Sequence, residues 1–355
     1  MWTIDIYRLD VVEAQLVKID EISTYQGLQF YNGLNDNGGC QFSLNVYDKK
    51  ATKENLRRYR NQIAIRRHND IKFWGPMIKV GGDYEGINGK MLIDSSEYLY
   101  HFQDRFTDKL VQYVAQDQED IAWDLINDTQ NKTNGTLLVQ RGTNETTQNR
   151  NRDYERTSVK TGLVELANVV SGFDFTFDPV VDSNNLVTHT DFNCYYPLLG
   201  TVRNDLPTLE IGVNVKRIEF VTSTNLTNSG VIEGQGSGST IEYPLEYTAS
   251  QQGYTRRELV LSEKDVSNSS ELTLRLQSKL QNDMVEGFNI NTELMPGKKP
   301  YYTDLNQGDI VNINFVIEGS GGYLDIKKQA RIIGISVSID INGAERVVPK
   351  LQILG

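Results

Sequence analysis

The chain has 355 residues, enough for two or three domains that each bury a core without covalent crosslinks. Its 36 Lys and Arg stand against 47 Asp and Glu, a formal charge of −11, which argues against an electrostatic grip on nucleic acid. The two cysteines, Cys40 and Cys194, fall in no metal-ligand spacing and are expected as buried free thiols.

The N-terminal stretch MWTIDIYRLDVVEAQ alternates apolar and charged residues, so it reads as a first strand rather than a signal peptide, and no transmembrane run follows. Residues 27–48, GLQFYNGLNDNGGCQFSLNVYD, read as a strand, a glycine-rich turn and a second strand. In the second strand Cys40, Phe42, Leu44 and Val46 share one face, and Gln41, Ser43, Asn45 and Tyr47 share the other. A sheet with one polar face is either the outer wall of a sandwich or the wall of a passage. Asn61–Arg67 and Ile71–Val80 form a predicted hairpin around His68-Asn69-Asp70, with Pro76 marking an edge or a bulge. A strand over Lys90–Ser95 leads into Tyr98, Leu99, His101 and Phe102, an aromatic strand end at a domain margin.

The composition then changes. Asp117 is placed to cap a helix running through Gln130, with Ile121, Ala122, Leu125 and Ile126 on its apolar face and Asp120 as the far member of a capping box. Residues 127–152 are mostly polar and read as an exposed loop around one short strand, Thr136–Gln140. Ser158 is placed to cap a second helix carrying Val159, Leu163, Leu166, Ala167 and Val170, which stops at Gly172. FDFTFDP and NLVTHTDF follow as two strands joined through Asp182-Ser183-Asn184-Asn185. The last section returns to strands at Val213–Ser223, Val231–Gly234, Asp309–Ile317, Ala330–Ile341 and Glu345–Leu351, the last two joined by Asn342-Gly343 as a two-residue type I′ turn. One helix, Ser269–Asp283, carries Leu272, Leu276 and Leu280 four residues apart.

The fold class this order predicts is α+β, mainly β: a β region over 1–103, a helix-plus-hairpin insert over 104–205, and a second β region over 206–355 with a helical insertion around 250–290.

Catalytic chemistry has few carriers. His68, His101 and His189 share no metal-ligand spacing, and no Gly-x-Ser-x-Gly elbow occurs. Gly234-Gln235-Gly236-Ser237-Gly238 lacks the following helix a phosphate cradle needs, and reads as a flexible loop. Glu119 with Asp120, and Asp174 with Asp178, read as exposed carboxylates rather than an acid–base pair. The basic runs Arg57-Arg58-Tyr59-Arg60 and Arg66-Arg67 read as an ion-paired surface. The glycosylation-type triplets at Asn127, Asn131, Asn134, Asn144, Asn225 and Asn268 read as chance matches in an Asn- and Thr-rich chain. No catalytic, cofactor-binding or metal residue is nominated, and no cofactor is expected.

The order of CQFSLNVYD, QIAIRRHNDIKFWGPMIKV, DQEDIAWDLINDTQ and YERTSVKTGLVELANVVSGFDFTF resembles the tail-hub proteins of long-tailed phages, the Gp37-like minor tail proteins related to the trimeric baseplate hub of contractile tails. The resemblance covers residues 1 to about 180 and is weaker afterwards, where LNQGDIVNINF and the closing hairpin suit a second barrel. It implies two barrel-like tube domains per subunit, a homotrimer that presents six of them, and mixed domains on the outside. The implied role is architectural: terminating the tail tube in the virion, adapting sixfold to threefold symmetry, and leaving a channel through which DNA passes without specific binding. Implied partners are the distal tail or tube-protein ring, the tape-measure C-terminus and a tip or central fibre protein. Many hubs continue into a hydrolase domain, whereas this sequence closes at Gly355 after its hairpin. Two other readings compete. One is a carbohydrate-binding tip protein using Trp74, the tyrosines and the Asn/Thr-rich loops, although Trp74 beside Phe73 suits core packing. The other is a cell-wall glycosidase using a carboxylate pair.

Overall fold

The computed structural model describes residues 1–354 except 86–87, 109, 146–147, 223–225, 236–241, 247, 264–265, 267, 284–287, 318 and 320–324. Seven strands open the chain: β1 (Trp2–Asp10), β2 (Gln15–Ile22), β3 (Gln26–Gly33), β4 (Gly39–Asn45), β5 (Asn61–Arg67), β6 (Asp70–Glu85) and β7 (Asn88–Ser96). The middle holds β8 (Val111–Asp117), α1 (Gln118–Gln130), β9 (Val139–Arg141), β10 (Asn149–Tyr154), α2 (Val159–Ala167), β11 (Asp174–Val181) and β12 (Val187–Tyr195). Then come β13 (Leu209–Glu210), β14 (Val215–Thr222), β15 (Ser229–Glu233), β16 (Glu242–Glu246), α3 (Thr248–Gly253), β17 (Glu258–Ser262) and α4 (Ser269–Asp283). The chain finishes with β18 (Phe288–Leu294), β19 (Ile310–Val316), β20 (Asp325–Ile339) and β21 (Glu345–Ile353). The fold is α+β and mainly β, as the alternating segments predict.

The β regions from the two ends of the chain share one sheet, in the order β14-β18-β21-β20-β3-β4-β7-β6-β5-β1-β2. The join is β20. Its first half pairs with β19, and its second half pairs with β3 from Gly334↔Gly33 to Ile339↔Leu28. β13 runs parallel to β19, and the bridge Ile211↔Val215 turns the chain from β13 into β14, giving the second region a barrel-like course. The hydrophobic core crosses the join: Trp2 lies 5.7 Å from Phe30 and 6.1 Å from Tyr302, ring centre to ring centre. β6 also changes partner, from β5 over residues 70–76 to β7 over 77–85. Pro76 is the last residue opposite β5, and a bulge follows between Met77 and Lys79, so the missing N–H falls where the ladder is already interrupted.

β5 is buried almost end to end because both of its faces are covered. Ile63 and Ile65 join the hydrophobic core shared by the two β regions, while Ala64 packs with Tyr7 and Trp74 against the middle unit. That unit is built on α1 and α2, with Ile121, Leu125, Leu163 and Leu166 buried against Phe175 and Phe192 of the β11–β12 hairpin. Asp117 caps α1 by accepting the Glu119 N–H at 2.9 Å, but Asp120 closes no capping box and pairs with Arg141 instead. Ser158 stands at the N-cap of α2, yet its hydroxyl donates to the Phe102 and Gln103 carbonyls, 3.3 and 2.9 Å away. α2 ends at Ala167, short of the predicted Val170, and Phe173 N–H returns to the Ala167 carbonyl. The short strand starts at Val139, since Leu138 takes a positive φ of 56°. β10 lies inside the stretch read as an exposed loop. Its buried positions are Arg150, Arg152 and Tyr154, so the alternation is present but written partly in arginines. His101 belongs to a 3-10 turn, Tyr98–Phe102, and not to a strand end.

The segment around Val231 was expected in the second β region. It is β15, the centre of a separate sheet β16-β15-β17. Leu272, Leu276 and Leu280 of α4 pack on Ile232 of this sheet and on Val266 of the segment leading into the helix, so the inserted unit is larger than the helix that announces it.

The Asn342-Gly343 hairpin also differs from its prediction. Gly343 has φ 80°, but Asn342 is not in the left-handed region, so the turn is not type I′. Gly343 N–H bonds to the Asp340 carbonyl at 3.0 Å, which places Ile341 and Asn342 at the turn's centre and the glycine just after it. A side chain at Gly343 would meet open space, so only backbone strain opposes it. Gly343→Val is expected to cost about 1–2 kcal/mol, read as a lower midpoint in urea; an unchanged midpoint would show that the loop relaxes freely.

Candidate functional site

The pleat of the joined sheet turns alternate residues to opposite sides. Leu28, Phe30, Cys40, Phe42, Ile93, Val337 and Val347 enter the core, and their neighbours form a polar outer face. Across the strands that face carries one unbroken row of register partners, Arg346–Ser338–Gln29–Gln41–Asp94–Lys79. Gln29 Nε2 donates to Gln41 Oε1 at 2.9 Å, and Gln41 Nε2 donates to Asp94 Oδ1 at 2.9 Å. Lys79 ends the row 3.5 Å from Asp94. At the other end Glu293 sits between Arg346 (2.8 Å) and Lys216 (2.7 Å). Arg346 and then Lys216 hold its carboxyl below the usual range. Tyr31, Ser336 and Val348 border a shallow hollow beside this row. The charges along it are paired within the face.

The carboxylates singled out in the sequence have other duties. Asp174 is buried, not exposed: it pairs with Arg331, accepts the Leu199 N–H at 2.6 Å and accepts from Asn35 Nδ2 at 2.8 Å. It thereby ties the middle unit to both β regions. Asp178 bonds instead to Thr176 and Asn193, so the two do not converge. Glu119 is also buried, accepting Glu145 N–H at 2.8 Å, while Asp120 turns to Arg141. Of the basic runs, Arg66 is buried, with its Nε 2.6 Å from Asp5 and its Nη2 2.7 Å from the Asn185 carbonyl. Arg67 grips Glu345 with two bonds, 2.9 and 3.1 Å, across the join. Asp5 and Arg331 gave no signal in the sequence, and Arg66 was read as surface, because a charge in a half-buried strand reads as an outward residue. Trp74 is buried and donates from Nε1 to Thr190 Oγ1 at 3.0 Å. Cys40 and Cys194 are free and buried. His68 occupies the β5–β6 turn with φ 57°, and His189 lies 3.2 Å from Asp191. Asn268 accepts the Glu271 N–H at 3.1 Å at the start of α4. Gly236-Ser237-Gly238 and Asn225 lie outside the described residues. No group of His, Cys, Asp and Glu suited to a metal occurs among the described residues, and no helix there is long and apolar enough to cross a membrane.

Glu97, at the end of the β4–β7 ladder, was not anticipated. It accepts Gly38 N–H at 2.6 Å and Gly33 N–H at 3.3 Å, yet desolvation, helped by Asp36 and Asp178, pushes its carboxyl up to about 8. Desolvation likewise lifts Glu119 to about 7 and lowers His101 to about 3. The raised carboxyls make the folded protein hold extra protons between about pH 4.5 and 8, so their contribution falls as pH rises through that window. His101 works the other way, but only below about pH 6.5. The melting temperature is therefore expected to drop from pH 6.5 to pH 8, and Glu97→Gln to flatten the slope. A wild-type melting temperature that rises over this interval would contradict the assignment.

No protein-family profile matches the sequence, and no curated protein matches it. Solved structures do match in fold. A tail protein from Neisseria meningitidis MC58 superposes with a TM-score of 0.61 at 11% identity, covering 99% of this chain and 96% of that one. The 43 kDa tail protein of prophage MuSo2 from Shewanella oneidensis gives 0.58 at 14% identity, with 98% of each chain covered. The E. coli c3393 protein, a type VI secretion component described as structurally similar to the T4 tail proteins gp27 and gp5, gives 0.53 at 9% identity over 93% of this chain and 74% of that one. The chain therefore has a phage tail-protein fold, shared along nearly its whole length with solved tail proteins.

Proposed function

We propose that this chain is a structural hub protein of a phage tail tip or baseplate, resident in the virion, which ends the tail tube and adapts sixfold to threefold symmetry. The observation that carries the reading is the edge-to-edge join of β20 with β3, which makes two β regions of one chain into neighbouring segments of a single wall. Three copies would then present six such regions, with the polar row toward the central channel. The domain division is residues 1–103, 104–205 and 206–355, the outer units being the middle insert and the β15–α4 insertion. The tape-measure C-terminus, the tube ring above and a tip protein below are the partners of this arrangement. DNA passes along a face whose charges are already paired. The glycan reading loses its main support because Trp74 is buried and hydrogen-bonded. The glycosidase reading loses its carboxylate pairs to Arg331, Arg141 and backbone donors. Light scattering on the purified chain, alone and with the tube-ring protein, is expected to give three copies per particle. Monomers under both conditions would sink the reading.

A further inference from the structure

We propose that the loop between β4 and β5, through Arg57, Arg58, Tyr59 and Arg60, is a preformed subunit contact that docks on carboxylates of a second copy of this chain. This rests on the ring reading above. The loop is rigidly held. Leu56 enters the shared hydrophobic core, and Asn55 is buried with its Nδ2 2.6 Å from Asp20. Asn61 Nδ2 donates to the Glu54 and Asn55 carbonyls at 2.6 and 2.9 Å, clamping the loop at its exit. Between these anchors all four residues from Arg57 to Arg60 are exposed.

Tyr59 takes φ 62°, a left-handed conformation unusual for an aromatic residue, held by its N–H to the Met77 carbonyl at 2.7 Å. Its ring is 57% exposed, stacks on Tyr100 at 6.5 Å and 11°, and carries the Arg58 guanidinium 5.3 Å from its centre. None of the three arginines has an ion-pair partner among the described residues. Several other surface arginines are engaged: Arg8 with Glu54, Arg217 with Glu219, and Arg256 with both Glu246 and Glu258. In a chain with 47 acidic against 36 basic side chains, three unpaired arginines within four residues, around an exposed tyrosine, make a concentrated basic patch. A rigid Tyr–Arg cluster is the composition of an interface anchor, since little ordering entropy remains to be lost on contact.

The charge pattern around it selects the partner. Exposed Glu54 and Asp104 flank the arginines, and Asp10 lies near Arg60. A phosphate backbone would meet these acids as repulsion, whereas a protein surface of mixed charge matches both signs. A second copy supplies such a surface, acidic by eleven charges overall.

The test compares assembly of the full chain with that of two variants. One changes Arg57, Arg58 and Arg60 to Glu. The other is Tyr59→Gly, in which glycine adopts the left-handed backbone without strain and only the ring stack is lost. Both are expected to keep the wild-type melting temperature while weakening assembly roughly tenfold or more. If both variants assemble like the wild type, the contact lies elsewhere and the ring reading survives. Should the wild type form no ring, alone or on tails, both the contact and the ring reading fall. Submicromolar, salt-sensitive binding of duplex DNA that the Glu variant abolishes would instead make the loop a nucleic-acid surface and overturn the proposal.

Discussion

Asp174→Ala is expected to destabilise the protein by about 3–5 kcal/mol, because it strands the buried Arg331 guanidinium without its counter-charge. The loss would not be local. Asp174 also holds the Leu199 N–H and the Asn35 amide, so three parts of the chain lose an anchor together. Arg331 keeps only carbonyl contacts, to Leu199 at 3.1 Å and Gly308 at 3.4 Å. Urea unfolding followed by tryptophan fluorescence measures the change. A further expectation separates this role from simple packing: Asp174→Asn, which keeps the shape but loses the charge and one of the two acceptor oxygens, should recover only part of the loss. If Asp174→Ala unfolds within about 0.5 kcal/mol of the wild type, the surface-substitution range, the buried pair is not what joins the regions.

Glu293→Gln is expected to convert the polar face from inert to DNA-binding. The substitution releases Lys216 and Arg346, both more than half exposed, from the carboxylate that occupies them. In a ring of three copies that frees two cations per copy along one circumference. Six or so phosphate contacts carry a salt dependence of roughly a thousandfold between 50 and 200 mM. Fluorescence anisotropy with duplex DNA at low salt should show little binding by the wild type and strong, salt-sensitive binding by the variant. Equal and weak binding by a folded, assembled variant would mean that this row does not meet the channel.

Local structure was legible wherever side chains alternated or followed helical spacing. The β3–β4 pair, α1, α4 and the β11–β12 hairpin all read correctly because each carries its own pattern. β2, β8 and β18 were not read as strands, and three further features escaped for physical reasons. The join of β20 to β3 links residues some 300 positions apart, and long-range pairing leaves no local trace. β10 was hidden because two of its inward positions are Arg150 and Arg152, the latter buried against Glu271 of α4. β15 was read as a strand over Val231–Gly234, but its separate sheet was not, because its partners β16 and β17 are only five residues each and carry little pattern of their own. The polar face was half legible: its alternation was plain in residues 40–47, but the row that continues it through Ser338 and Arg346 depends on the join. Asp174 and Glu119 were found but misplaced, since sequence cannot distinguish a carboxylate facing water from one facing a buried arginine or a backbone donor.

The most direct test is electron cryomicroscopy of the assembled particle at a resolution that traces strands. The account predicts three copies around one axis, six β regions in the wall, and Gln29, Gln41, Ser338 and Arg346 facing the channel. A particle with one β region per copy in the wall, or with that row turned outward, would contradict it.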